Sequence, residues 1–263
     1  MGPPIFEFII AKVFRKRIIY DFDDAIWLPD PNETNPLIRI LKWKSKVRHV
    51  CRWCWKVSAG NEYLAEFARQ YCDQVEIIPT VVNTHYHVPA PEENESLTIG
   101  WTGSHTTLQY LNPLVPTLDR LCKEHPLKFA VIANKDPELP ITGYEFVPWD
   151  QTREVEDLQR FDIGIMPLTD DIWSQGKCGF KAIQYGASGI PAIVSPVGVN
   201  KDVVKDDVTG FWCASIEDWE SRLEALIINK EKRKQLGTAA RAHIEAHYSV
   251  NAIREKFLKL FEV

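Results

Sequence analysis

The chain has 263 residues, of which 45% are hydrophobic and 25% are charged, and this composition excludes a disordered protein. The formal net charge of -5 excludes a protein whose whole surface attracts nucleic acid. Six scattered cysteines without a secretion signal predict reduced thiols and a cytoplasmic location. No apolar run approaches the roughly 20 residues that span a bilayer, so we expect any membrane contact to be peripheral.

The first predicted strand lies at residues 17–20 and is followed directly by acidic side chains. Its residues 18–20 are β-branched or aromatic, as in a buried parallel strand, and the acids after it are Asp21, Asp23 and Asp24. Ligands of open α/β sheets bind at the carboxyl ends of strands, which makes these acids candidates for function. The alternative is that they cap the next segment.

A basic helix is predicted between residues 39 and 56. This stretch carries seven Lys or Arg and no Asp or Glu, and its apolar residues recur at spacings of three and four. Such a helix is most often a solvated face. Its tryptophans and missing acids also suggest docking on an anionic membrane, at the inner face if the protein is cytoplasmic.

The predicted organisation has a boundary near residue 90, where residues 88–95 form a polar linker with two prolines. Before it, strands are predicted at residues 56–60 and 75–79, with Asn61 as the cap of an intervening helix. We expect residues 1–88 to form a partial amino-terminal, acceptor-side domain. Residues 89–248 are expected to form the donor-binding domain and residues 249–263 a final helix, capped by Ser249, that returns to the first domain.

Strands and helices alternate after the linker. Strands are predicted at 97–101, 128–133, 144–148, 162–167 and 191–195, and helices at 107–123, 153–160, 180–187 and across most of 216–247. Strands separated by helices predict a parallel, doubly wound α/β sheet.

The turn at Gly100, Gly103 and Ser104 is a candidate phosphate site. It follows a predicted strand and opens a predicted helix, where glycines allow close approach of a backbone and free amides favour an anion. The spacing is neither that of a dinucleotide-binding turn nor that of a P-loop. Tight packing alone is the alternative explanation for these glycines.

The most specific segment covers residues 176–195. A polar loop with Lys177 and Lys181 leads into a helix of small residues, a turn at Ser188, Gly189, Ile190 and Pro191, and a buried strand. The segment resembles the donor-site signature of the family 4 (group 1) retaining glycosyltransferases, in which Glu-x7-Glu precedes Ala-x-Gly-x-Pro-Val. Residues 161–168 and 197–211 resemble the flanking parts of the same pattern, and residues 18–27 resemble the amino-domain strand that often ends in a His-Asp pair.

The resemblance implies the GT-B fold, with two Rossmann-like doubly wound domains of which the first is incomplete, consistent with an amino-terminal truncation. It also implies a donor-binding set. Gly103 and Ser104 would lie against the donor diphosphate, Lys177 and Lys181 would neutralise it, and Gln184 would replace the second Glu, which holds the ribose hydroxyls. Cys178, Gly179 and Phe180 lie between the two lysines and complete the predicted donor-binding set. The first Glu falls at or beside Gly176, where no acid stands, so the donor sugar is not implied.

The catalytic candidates are Lys181, Asp23 and Asp24. A leaving diphosphate gathers negative charge, so a lysine beside it stabilises the transition state. The two aspartates stand near the His-Asp position of the family and could orient the acceptor hydroxyl or the donor sugar. Asp170 and Asp171 are weaker candidates for a contact with the sugar.

The implied activity is sugar transfer, with retention, from a nucleoside diphosphate sugar to a glycan or lipid-linked acceptor in cell-envelope or polysaccharide biosynthesis. No cofactor or metal is expected. One alternative is a metal-dependent transferase that uses Asp21-Phe22-Asp23 as an Asp-x-Asp clamp, and another is a non-catalytic nucleotide-binding or scaffold relative. His85 and His87 are predicted to share one side of an extended segment without a third ligand, so no metal site is expected there.

Overall fold

The computed structural model describes residues 3–28, 43–91 and 94–262. The chain forms two compact units. The first unit comprises residues 1–80, 171–178 and 253–263, and the second comprises residues 81–170 and 179–252. The second unit begins at Val81, so the described residues of the predicted linker, 88–91 and 94–95, belong to it. The donor-site stretch predicted from residue 176 on is divided between the units after Cys178.

The first unit contains a parallel sheet of three strands in the order β1-β2-β3. The strands are β1 (Ile19–Phe22), β2 (Lys56–Ala59) and β3 (Val75–Ile77). Its helices are α1 (Ile5–Phe8), which continues as a π-helical turn over Ile9–Val13, α2 (Lys46–Trp53) and α3 (Glu62–Arg69). The short helix α6 (Ile172–Gln175) also belongs to this unit.

The second unit is built on a parallel sheet of six strands in the order β6-β5-β4-β7-β8-β9. The strands are β4 (Leu97–Gly103), β5 (Leu127–Ala133), β6 (Tyr144–Pro148), β7 (Ile163–Met166), β8 (Ala192–Val194) and β9 (Gly210–Trp212). Numbered within the unit, this order is 3-2-1-4-5-6, which is the Rossmann order. The predicted parallel, doubly wound sheet is confirmed, with β9 as a strand that the sequence patterns did not predict.

Helices cover both faces of this sheet. They are α4 (Val115–Glu124), α5 (Glu154–Leu158), α7 (Phe180–Ala187), α8 (Asn200–Val203), α9 (Ile216–Ile228) and α10 (Lys230–His247). Two buried clusters fill the space between sheet and helices, one around Phe129 and Trp101 and the other around Tyr185 and Ile244. The final helix is α11 (Val250–Lys259), and its residues from Ile253 on belong to the first unit.

One helix prediction is wrong in its extent. The segment at 107–123 is not a single α-helix, because 3-10 turns occupy His105–Tyr110 and Asn112–Leu114 before α4 begins at Val115. Pro113 and Pro116 lack the amide hydrogen that an α-helix needs in its interior, and they are tolerated here at the starts of these helical segments.

The predicted basic helix is shorter than expected among the described residues. Residues 39–42 lie outside them, and α2 begins at Lys46, with Val47, Val50 and Cys51 buried. Within the ranges that the structure describes, no helix has both the length and the apolar composition needed to cross a bilayer.

Candidate functional site

The crevice between β4 and β7 marks the place where the strand order of the second unit reverses. β4 pairs with β5 along its whole length, from Leu97 to Gly103. It pairs with β7 only through Ile99–Ile163 and Gly100–Gly164. Ligands of Rossmann sheets bind outside the carboxyl ends of the strands at this reversal. The site is therefore expected near the ends of β4 and β7.

Tyr185 bridges the two strands where their pairing stops. Its hydroxyl accepts a hydrogen bond from the Thr102 amide at 3.1 Å and donates to the Ile165 carbonyl at 3.4 Å. The side chain is fully buried, and this burial raises the pKa of its hydroxyl well above the ordinary value, so it stays protonated and able to donate. The hydroxyl thus gives hydrogen-bond partners to the Thr102 amide and the Ile165 carbonyl at the point where the two strands no longer pair with each other.

The paired glycines of β4 and β7 make room for two aromatic rings. A β-carbon on Gly100 would lie 2.0 Å from the ring of Phe161, and one on Gly164 would lie 2.5 Å from the ring of Tyr185. The two rings pack against each other with centroids 6.1 Å apart. Packing therefore accounts for Gly100, which the sequence analysis had included in a possible phosphate turn.

Gly103 and Lys181 both lie next to the indole ring of Trp101. A β-carbon on Gly103 would be 2.4 Å from the ring of Trp101, so only glycine fits there. The Lys181 ammonium lies over that ring, 5.7 Å from its centroid, within the range of a cation–π contact. The structure thus brings together a predicted diphosphate neighbour and a predicted cation at the carboxyl end of β4.

Ser104 is exposed and begins a 3-10 helix rather than an α-helix. It forms a capping box with Thr107, whose hydroxyl accepts from the Ser104 amide at 3.2 Å. The cap occupies amide groups that the sequence analysis had assigned to an anion. The helix amides therefore contribute less to an anion site than the sequence predicted.

Helix α7 starts where the sequence predicted it. Gly179 precedes it with φ of 68°, a left-handed conformation that favours glycine. Phe180 is 42% exposed, whereas Gln184 is only 3% exposed. Phe180 therefore lies at the surface of the unit, Lys181 is half-buried, and Gln184 lies in the interior.

Gln184 has a partner that the sequence analysis missed. Its amide Nε2 lies 3.4 Å from the Nε2 of His87, which is 6% exposed. The segment around His87 is a turn and not extended, so His85 is exposed while His87 is buried, and the prediction that they share a side is wrong. Burial lowers the pKa of His87 and keeps its imidazole neutral.

In the first unit, Asp23 and Cys178 are joined directly. The Cys178 thiol donates to the Asp23 carbonyl at 2.8 Å, and burial raises the pKa of this thiol to about 12. Cys178 is therefore a neutral packing residue rather than a nucleophile. The carboxylate of Asp23 is exposed, and Lys177 is half-buried.

Asn61 holds the loop that carries Lys177 and Cys178. Its Oδ1 accepts from the Leu64 amide at 3.0 Å and caps α3, as predicted. Its Nδ2 donates to the carbonyls of Gly176 and Lys177 at 3.3 Å and 3.2 Å. One buried side chain thus fixes both the start of a helix and the loop.

Gly176 is a glycine for a steric reason. A β-carbon there would lie 2.6 Å from the β-carbon of Ala25 and 3.2 Å from its amide nitrogen. This position, where the resembling family has its first Glu, therefore has no room for a side chain without a shift of the backbone. The departure from the family pattern is built into the packing of the first unit.

Two of the acidic candidates accept hydrogen bonds from nearby backbone amides, and Asp171 caps α6 in this way. The Asp24 carboxylate accepts from the Ala25 amide at 2.9 Å, and the Asp171 carboxylate accepts from the Trp173 and Ser174 amides at 2.9 Å and 2.8 Å. Asp21 and Asp23 are exposed. Across the described residues, no group of three or more His, Cys, Asp or Glu side chains could hold a metal ion.

Comparisons with known proteins agree with this architecture. The family model "Glycosyl transferases group 1" matches residues 144–243, which run from β6 into α10. This match covers less than half of the chain. No curated protein sequence matches the chain in a search of whole sequences.

Solved structures extend the likeness to the whole chain. Anabaena Alr3699/HepE, crystallised with UDP and glucose, has a TM-score of 0.76 at 13% identity, over 98% of this chain and 75% of that one. Sucrose-phosphate synthase from Thermosynechococcus elongatus has a TM-score of 0.73 at 12% identity, over 99% and 71%. A glycosyltransferase from Rickettsia africae has a TM-score of 0.74 at 15% identity, over 100% and 74%. The fold is GT-B, and with the group 1 domain it identifies the protein as a glycosyltransferase.

Proposed function

We propose that the protein transfers a sugar, with retention at the anomeric carbon, from a nucleoside diphosphate sugar to a glycan or lipid-linked acceptor, as a family 4 enzyme of cell-envelope or polysaccharide biosynthesis. The observation that carries the proposal is the crevice between β4 and β7, where Gly103 and Lys181 lie about Trp101. The UDP and UDP-glucose found in crystals of the Anabaena protein make a nucleotide sugar the natural donor to test.

Within the second unit, the donor diphosphate is assigned to the carboxyl end of β4. In this proposal Gly103 allows the phosphate oxygens to approach the backbone, and Ser104, Gly179 and Phe180 also belong to the donor-binding set. The Lys181 ammonium supplies positive charge. Charge grows on the leaving diphosphate as the glycosidic bond breaks, so this lysine stabilises the transition state more than the ground state.

Gln184 is assigned to the nucleoside ribose. An amide oxygen accepts hydrogen bonds from hydroxyl groups as a carboxylate does, although more weakly. Gln184 is only 3% exposed, so we propose that only the tip of its amide meets the ligand.

In the first unit, Asp23 is the stronger candidate for orienting an acceptor hydroxyl. Its carboxylate is exposed, whereas that of Asp24 already accepts a backbone hydrogen bond. Lys177 keeps its assignment as a second cation for the diphosphate. Cys178 supports this loop through its bond to the Asp23 carbonyl.

The reaction is proposed to need no metal and to take place in the cytoplasm, at the inner face of the membrane. The exposed Arg48 and Arg52 of α2 provide the positive charge for contact with an anionic surface, whereas Lys46 forms an ion pair with Glu7. The metal-dependent alternative belongs to the other glycosyltransferase fold, and it predicts that donor binding requires manganese or magnesium.

A thermal-shift panel tests this function. UDP, GDP, UDP-glucose and GDP-mannose are each added with and without EDTA, and the melting temperature is measured. We expect at least one nucleotide to raise it, to the same extent in EDTA, because a ligand that binds only the folded state stabilises it. No shift with any nucleotide would contradict donor binding, and a shift that EDTA abolishes would favour the metal-dependent alternative.

A further inference from the structure

The pair formed by His87 and Gln184 lies inside the second unit. The two side chains are 6% and 3% exposed, and their Nε2 atoms are 3.4 Å apart. A glutamine buried to this extent needs partners for its amide, because an unpaired buried polar group is costly. His87 supplies one of them.

The segment that carries His87 is fixed against the helix that carries Gln184. The Asn83 carbonyl accepts from the His87 amide at 2.8 Å and closes the turn. The Arg241 guanidinium donates to the carbonyls of His87 and Ala187, and to that of Thr84 at 2.7 Å. Since Ala187 is the last residue of α7, one arginine ties the turn to the helix. This arrangement sets the distance between His87 and Gln184.

The tautomer of His87 determines which end of the amide is available, because a proton on Nε2 would turn the amide oxygen toward the ring. The Nδ1 atom is buried and has no hydrogen-bond partner among the described residues. A neutral imidazole with its proton on Nδ1 offers only a lone pair at Nε2, and the amide NH2 group donates to it. The Gln184 Oε1 is then left to accept hydrogen bonds from another group. If the imidazole were protonated, both ring nitrogens would be donors and the amide would have to turn its oxygen toward the ring.

We propose that His87 is a positioning residue that orients the Gln184 amide so that its carbonyl oxygen accepts from a ribose hydroxyl of the nucleotide; this inference rests on the proposed function. In this orientation the glutamine presents the same kind of acceptor that a glutamate would present. The neutral state of His87, which its burial favours, is the state that this role requires.

The test compares UDP with 2′-deoxy-UDP by isothermal titration calorimetry. The deoxynucleotide keeps the base and the diphosphate and lacks one ribose hydroxyl, so the ratio of the two Kd values isolates recognition of that hydroxyl. The proteins are the wild type, His87→Phe, His87→Gln and His85→Ala. Phenylalanine fills the space without an acceptor, glutamine restores a polar partner, and His85→Ala is the matched control on the exposed neighbour.

We expect the wild type and His85→Ala to bind UDP about tenfold more tightly than 2′-deoxy-UDP. In His87→Phe the preference should fall below about threefold while the Kd for 2′-deoxy-UDP changes little, and His87→Gln should recover part of it. If His87 had only a structural role, His87→Phe would weaken the binding of UDP and of 2′-deoxy-UDP equally.

An unchanged preference in His87→Phe would overturn the inference and leave the proposed function intact. The same conclusion would follow if the wild type showed no preference for UDP over its deoxy form. Failure of the wild type to bind UDP, GDP or any nucleotide sugar would contradict the proposed function itself. The proposed role of His87 would then be contradicted as well.

Discussion

The hydroxyl of Tyr185 accepts a hydrogen bond from the Thr102 amide at 3.1 Å, at the point where β4 and β7 cease to pair. A side chain of α7 thereby takes the place of a neighbouring strand. The strands can part without leaving that backbone amide unpaired, and the crevice assigned to the donor opens between them.

Tyr185→Phe should therefore destabilise the protein. The change removes a hydroxyl that serves both the Thr102 amide and the Ile165 carbonyl, and a buried donor left without a partner costs about 1–3 kcal/mol. Urea denaturation followed by circular dichroism measures the loss. Tyr86→Phe is the control, because Tyr86 is 47% exposed. Equal stability of the two variants would show that the bridge contributes nothing.

Gly176 and Ala25 should show a coupled effect. Gly176→Ala places a β-carbon 2.6 Å from that of Ala25, and such overpacking costs about 1–3 kcal/mol. Ala25→Gly removes the opposing methyl group, so the double variant should recover part of the loss. A double-mutant cycle of unfolding free energies measures the coupling. Strictly additive effects would contradict the steric explanation for the missing glutamate.

Asn61 should have two separable roles. Asn61→Ser keeps a capping oxygen for α3 and loses the amide that donates to the Gly176 and Lys177 carbonyls. Asn61→Ala loses both. We expect hydrogen exchange to speed up in residues 171–178 for both variants and in residues 62–69 only for Asn61→Ala. If Asn61→Ser left residues 171–178 as protected as in the wild type, the amide would not hold the loop.

Alkaline pH should destabilise the protein through its buried thiols. Burial raises the pKa values of Cys51, Cys178 and Cys213 from 9.0 to about 12. The unfolded chain loses these protons first as the pH rises. The stabilisation is thus complete below about pH 9 and is lost progressively toward about pH 12.

The unfolding free energy, measured by urea denaturation from pH 7 to pH 10.5, should be level at first and then fall. Cys213→Ala removes one of the thiols, so its decline should be shallower than that of the wild type. A curve that stays level to pH 10.5 would mean that the thiols ionise as easily in the folded protein as in the unfolded chain.

Much of the fold could be predicted because it depends on local patterns. The buried strands at 127–133 and 144–148, and the helix Phe180–Ala187, have apolar runs or small residues bounded by turn residues, and they appear within a residue of their predicted limits. The helix predicted at 107–123 was wrong where two prolines interrupt it. The strand Gly210–Trp212 is too short to give a periodic signal.

The site was harder to predict because its partners are far apart in sequence. Gln184 and His87 are separated by 97 residues, and Cys178 and Asp23 by 155. A motif identifies Gln184, but nothing near it in the sequence indicates a buried histidine. The steric role of Gly176 likewise depends on Ala25, which lies far from it in the sequence, outside the donor-site signature at residues 176–195.

The central claim is that the second unit binds a nucleoside diphosphate with Lys181 as its cation. Calorimetric titration of UDP against the wild type, Lys181→Ala and the surface control Lys201→Ala tests it most directly. We predict that Lys181→Ala raises the Kd by about ten- to a hundredfold, as for loss of a charge-assisted hydrogen bond, while Lys201→Ala binds as the wild type does. Equal affinity for UDP in Lys181→Ala and the wild type would contradict the claim.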